Sequence, residues 1–181
     1  MKICGIVISK RRIILSLVTH YKVRPVSDDP FCRLDKIAVV YIPKYIRLKP
    51  IDLDYKVKSL PLIIEADFIH LIYDYRYTLT GHTLAFKELM YLLLTDFLEQ
   101  SKKPYVSESV RAIKYRMGNR DYARSDKIIT WMHGHIDNFS RIKILGKKQE
   151  DYQKMLSVLA ACSSKGIKQG KTTFDIIRMK G

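Results

Sequence analysis

Two apolar, β-branched runs stand almost back to back at the start of the chain, Ile3–Ser9 and Ile13–Thr19, with only Lys10, Arg11 and Arg12 between them. Neither run has the 3.6-residue recurrence of an amphipathic helix, and three charged residues suffice for a tight polar turn. The spacing therefore predicts a hairpin of two buried strands. Tyr21–Val26 reads as a continuation into a third strand, Ser27-Asp28-Asp29-Pro30 as a loop, and Asp35–Ile42 as a further strand.

Helical periodicity begins only after this β-rich opening. Ile51–Ala66 has apolar residues at helical spacing, but Pro61 falls in the middle, so a kinked or broken helix is expected. Phe68–Tyr75 is aromatic and β-branched and reads as a central strand, followed by a loop over Thr78–Thr83. Leu84–Gln100 is the clearest helix. Its apolar residues recur at Leu84, Phe86, Leu89, Met90, Leu93, Leu94, Phe97 and Leu98, and Lys102-Lys103-Pro104 ends it. Tyr105–Ser107 then reads as a short strand and Glu108–Met117 as a short helix. A helix capped by Ser125 or Asp126 runs to Met132, where Gly134 weakens its end, and Lys147–Cys162 forms the last helix.

Strands first, then alternating helix and strand, define an α/β chain. The expected architecture is a mixed sheet opened by a β-hairpin or meander, with helices on both faces. The 181 residues suit one domain. Residues 1–162 are expected to form it, and 163–181 to be a basic, flexible tail.

The charge is lopsided. Thirty-three Lys and Arg against 18 Asp and Glu give +15. Residues 1–100 account for only +4 of this, and residues 101–181 for +11. A field of one sign over half a fold concentrates polyanions, so nucleic acid is the expected partner. Two clusters carry the expectation. Lys10, Arg11 and Arg12 project from the first turn; Arg111, Lys114, Arg116, Arg120 and Arg124 form the second, interleaved with Tyr115 and Tyr122. Guanidinium forks grip phosphates and aromatic rings stack on exposed bases. Lys147 and Lys148 extend the field towards the tail.

Cys4, Cys32 and Cys162 are odd in number and form no CxxC pair, which argues against a disulfide framework or zinc knuckle and for a reducing, cytoplasmic setting. The apolar run from Ile3 is interrupted after Ile8, too soon for a signal peptide, and no stretch reaches the ~20 residues of a membrane span. His133-Gly134-His135 with Asp137 lacks a third ligand at a recognised spacing, so no metal is expected there.

Three stretches, KICGIVISKRRIILSLV, FIHLIYDYRYTLTGHTLAFKELMYLLL and PYVSESVRAIKYRMGNRDYARSDKIITWM, together resemble the ribonuclease H-like superfamily on its RuvC-type resolvase side. The resemblance covers about two-thirds of the chain. It implies that the first strand, the middle strand and the final helix meet at one pocket, where carboxylates hold two Mg²⁺ ions. The first strand offers Val7 or Ser9 where its acid belongs and contains no Asp or Glu. Asp74 falls where the second acid belongs and is the one candidate catalytic residue. On the final helix Glu150 and Asp151 lie near the start, with Lys154 as the alternative alignment.

These substitutions point to a pseudo-nuclease: a ribonuclease H-like, DNA-binding accessory subunit with no cofactor and with a place for a protein partner. An active nuclease using Mg²⁺ through Glu65, Asp67, Asp74, Asp126 and Asp151 is the alternative, and a protein–protein adaptor a third reading.

Overall fold

The computed structural model describes residues 1–9, 12–21, 31–42, 57–73, 81–110, 112–113, 125–141, 144 and 148–163. Strand β1, Lys2–Ser9, pairs antiparallel with β2, Arg12–His20, in an unbroken register from Lys2–Thr19 to Ser9–Arg12. The hairpin is as the apolar runs predict. Strand β3, Cys32–Tyr41, continues the meander antiparallel to β2. The register slips between Leu17 and Val18, so Asp35 is the extra residue of a bulge. The expected third strand over Tyr21–Val26 falls largely outside the described residues.

Strand β4, Phe68–Tyr73, then lies parallel to β1 on its other side, and β5, Tyr105–Ser109, parallel to β4. The five-stranded order is β3-β2-β1-β4-β5. Parallel strands need a crossover, and helix α1, Gly81–Gln100, supplies the one between β4 and β5. Helices α2, Ser125–His135, and α3, Gln149–Ser163, follow, with a 3₁₀ turn at Phe139–Arg141.

Strand alternation sorts the core onto two faces. Cys4, Ile6, Ile8, Leu15 and Leu71 pack with Met90, Leu94 and Leu98, one stripe of α1. Val7, Ile14, Val18 and Ile72 pack on the opposite face with Met132 of α2 and Met155, Leu159 and Cys162 of α3. Each such side chain contributes about 1.5–3 kcal/mol when fully buried. The result is the mixed sheet with helices on both faces that the element order predicts. No described helix is long and apolar enough to cross a membrane.

Three local expectations need correction. Of the broken helix expected over Ile51–Ala66, residues 51–56 lie outside the described residues, Val57 and Lys58 are helical, and no helix resumes after the break at Pro61, where Leu62 takes a left-handed φ of 71°. Helix α1 starts at Gly81, inside the expected loop, since a first turn tolerates residues of low interior propensity. Glu108 and Ser109 belong to β5 rather than to a helix; Ser109 Oγ accepts the Ala112 backbone N–H at 3.2 Å, so the helical turn begins only after them.

The outer edge of β3 is partly covered. Phe31 N–H donates to His135 O at 3.1 Å, Asp137 N–H to Cys32 O at 3.0 Å, and Cys32 bridges Ile136. The Asn138 carboxamide takes both backbone groups of Leu34, accepting its N–H at 3.0 Å and donating to its carbonyl at 2.8 Å.

Candidate nucleic-acid interface

Helix α3 crosses the sheet over β1, β2 and β4 at very short range, because β1 has a glycine beneath it. A Cβ on Gly5 would fall 1.9 Å from Ser157 O and 2.9 Å from Ala161 N. Ser157 Oγ lies 2.5 Å from Ser16 Oγ of β2, and His20 Nε2 lies 2.8 Å from Ala161 O, which fixes the helix lengthwise. The first strand, the middle strand and the final helix therefore do meet, as the resemblance implies.

At the C-terminal end of β1 the strands form a polar row, Ser9 paired with Arg12 and Arg12 with Tyr41. The opening turns of α3 lie against this row. Gln153 Nε2 donates to Ser9 Oγ at 2.7 Å, and both residues are buried. The other end of that carboxamide, Oε1, is buried with no hydrogen-bond partner. One helical turn earlier, Glu150 Oε2 accepts from Arg12 Nη1 at 2.6 Å and from Tyr41 Oη at 2.9 Å, while Oε1 meets Lys154 Nζ at 2.8 Å. The Lys154 ammonium first, then the Tyr41 hydroxyl and Arg12, hold the Glu150 carboxyl down at about 2, so it is ionised throughout the physiological range.

This donor set does not fit a divalent cation. Mg²⁺ requires several oxygen ligands, carboxylates among them. The described oxygens here are a serine hydroxyl, a carboxamide and one carboxylate whose two oxygens already serve two cations and a phenol. Arg12 and Lys154 would also repel the ion. Among the described residues no group of three or more His, Cys, Asp or Glu is placed to hold a metal.

The other carboxylates named from sequence separate. Asp67 Oδ2 accepts the Lys2 backbone N–H at 2.7 Å and Glu65 lies 3.9 Å from Lys2 Nζ, so both sit at the opposite end of the sheet from Ser9. Asp126 lies in the first turn of α2 and Asp151 in that of α3. Asp74 is outside the described residues. His133, His135 and Asp137 diverge: His133 meets Phe139 edge-on, His135 stacks on Trp131 at 4.3 Å, and Asp137 accepts from Tyr21 Oη.

Of the expected phosphate contacts, Arg12 sits in the polar row, and Lys148 is exposed immediately before α3. Lys10, Arg11, Arg111, Lys114, Arg116, Arg120, Arg124 and Lys147 lie outside the described residues. Sequence reasoning missed Tyr41, Gln153 and a buried pair, His70 Nε2 and Glu108 Oε2 at 3.2 Å. The signal for Gln153 was available: it recurs with Ser157 and Ala161 at four-residue intervals on the helix face that is otherwise apolar.

No protein-family model matches the chain, and no curated protein does either. Solved structures do. Thermus thermophilus RuvC in complex with a Holliday junction substrate superposes with a TM-score of 0.66 at 11% identity, over 90% of this chain and 92% of that one. The yeast mitochondrial Holliday junction resolvase Ydc2 gives 0.64 at 12% identity, over 89% and 76%. The fowlpox virus resolvase with Holliday junction DNA gives 0.51 at 11%, over 93% and 100%. The likeness is one of fold, at identities far too low to carry chemistry across. The chain has the ribonuclease H-like fold in its RuvC-type form.

Proposed function

We propose that the chain is a DNA-binding protein that engages branched DNA without hydrolysing it, as an accessory subunit of a DNA-handling assembly in the cytoplasm. The observation that carries this reading is the Ser9–Gln153 hydrogen bond at the head of β1. A hydroxyl and a carboxamide stand there, and the neighbouring carboxylate is neutralised by Arg12 and Lys154. Among the described residues no carboxylates cluster there, and two-metal activation of water needs them as ligands. The net charge of +15 supplies the attraction to phosphate, and the basic residues that follow Ser163 in the sequence add to it.

The likeness to two resolvases solved with Holliday junctions makes a four-way junction the first DNA to try. In a mobility-shift titration the protein binds a junction more tightly than a linear duplex of equal length, and binding weakens steeply with salt. Incubation with Mg²⁺ or Mn²⁺ leaves the junction uncut. Cleavage that Asp74→Asn abolishes would overturn the non-hydrolytic reading, and failure to bind any DNA at low salt would overturn the whole of it.

A further inference from the structure

We propose that Arg12 and Lys154, held apart by Glu150, form a clamp for one backbone phosphate of DNA, at the polar row where the β1–β2 hairpin and β3 meet the first turns of α3. The inference rests on the DNA-binding reading above and assigns a particular site within it.

Three observations converge on the clamp. The first is geometric. Glu150 fixes each cation through a different oxygen, Arg12 through Oε2 and Lys154 through Oε1, so the two heads flank a single carboxylate. Fixing them in the free protein lowers the ordering cost of binding. The second is donor supply. A guanidinium carries five N–H groups and an ammonium three, and among the described residues Glu150 is the one acceptor either of them meets. Both side chains stay partly exposed, 22% and 25%, which leaves donors facing solvent. The trio has a net charge of +1.

The third observation is independent of the ion pairs. Gln153 precedes Lys154, is nine-tenths buried, and has one end of its carboxamide without a partner. The group can turn over about its last bond, with Ser9 then donating to Oε1 and the amide N–H groups becoming the free end. A buried polar end costs free energy until something satisfies it. An anionic oxygen, or a water that such an oxygen orders, does so in that orientation. A cation does not, because Arg12 and Lys154 repel it.

Glu150 is therefore both organiser and competitor, since a phosphate oxygen entering between the two cations displaces part of its contact. A purely structural brace makes a different prediction for the same residue, and this decides the experiment. Lys154→Gln, Arg12→Gln and Glu150→Gln are compared with the wild type on a four-way junction across a salt series. Lys102→Gln, an equal charge change at the far end of the sheet, is the control. Thermal melts report that each variant is folded, and Lys154→Gln carries the test should Arg12→Gln unfold.

The clamp predicts that Lys154→Gln and Arg12→Gln each flatten the plot of log affinity against log salt by about 0.9, which is about eight-fold over one decade of salt. Glu150→Gln strengthens binding, and Lys102→Gln has the smaller effect of a remote charge. Folded Lys154→Gln or Arg12→Gln protein binding with wild-type affinity and slope removes the clamp while leaving DNA binding intact. Glu150→Gln that weakens binding identifies the trio as a brace and removes it also. A wild type that fails to bind at low salt removes the DNA-binding reading, and the clamp with it.

Discussion

Gly5 and Ser157 touch through backbone alone: a methyl group added to Gly5 would lie 1.9 Å from the Ser157 carbonyl oxygen. The central strand and the final helix are thus closer than any side chain permits, and the helix cannot yield at Ser157 without also moving Ala161, 2.9 Å from the same point. Gly5→Ala should fall at the upper end of overpacking penalties, about 3 kcal/mol. Denaturant unfolding measures this. A loss under about 1 kcal/mol would mean that the helix rides further from the sheet.

Helix α1 ends in a motif that ordinarily uses glycine. Lys103 N–H donates to Leu98 O at 2.9 Å and Lys102 N–H to Glu99 O at 3.0 Å, with Lys102 at a φ of 52°. A left-handed non-glycine residue is strained by about 1–2 kcal/mol, and glycine costs about 0.5–1 kcal/mol of chain entropy in exchange. Lys102→Gly should therefore raise stability by up to about 1 kcal/mol, read as a higher melting temperature. The side chain is exposed, so nothing is lost in packing.

Acid should unlock the corner around Glu150. Its carboxyl, chiefly through Lys154, titrates at about 2 in the fold against an ordinary 4.5, so the unfolded chain takes up this proton first on acidification. Its contribution to stability is complete above 4.5 and disappears as the pH falls from there to about 2. Glu150→Gln should flatten the stability–pH curve inside that window and leave its shape unchanged at neutral pH. An identical acid slope in the variant would assign the effect to other groups.

The three thiols should be silent in the folded protein. Burial pushes Cys4 up to about 12 and Cys162 well above its usual value, and Cys32 Sγ lies 3.5 Å from Cys162 Sγ inside the same core. Thiolate is the reactive species, so alkylation at neutral pH should leave the native chain unmodified and label all three cysteines in denaturant. Rapid labelling of the folded protein would reveal an opening between α3 and β3.

The hairpin was legible because its strands are apolar on both faces and separated by charge alone, a pattern with one reading. The mixed sheet with helices on both faces followed from the sequence of elements, whereas the strand order came only with the structure. The break at Pro61 was legible, but apolar spacing is blind to the left-handed turn at Leu62 that keeps the helix from resuming, and Glu108 misled because a buried acid in a strand looks like a helix start until His70 is found beside it. The polar row was the least legible part. Ser9 meets Gln153, and Arg12 meets Glu150, across separations of 144 and 138 residues, and no local pattern encodes such a pairing. What the sequence did disclose was chemical: a first strand with no acid, and a lysine near the head of the last helix.

Asn138 occupies both main-chain groups of Leu34, and the segment beside it takes the Phe31 N–H and the Cys32 carbonyl. An unsatisfied outer strand is a template on which a second molecule can polymerise. Along Phe31–Leu34 that template is sealed by the chain itself, so growth of fibrils from this margin would first require residues 135–138 to peel away.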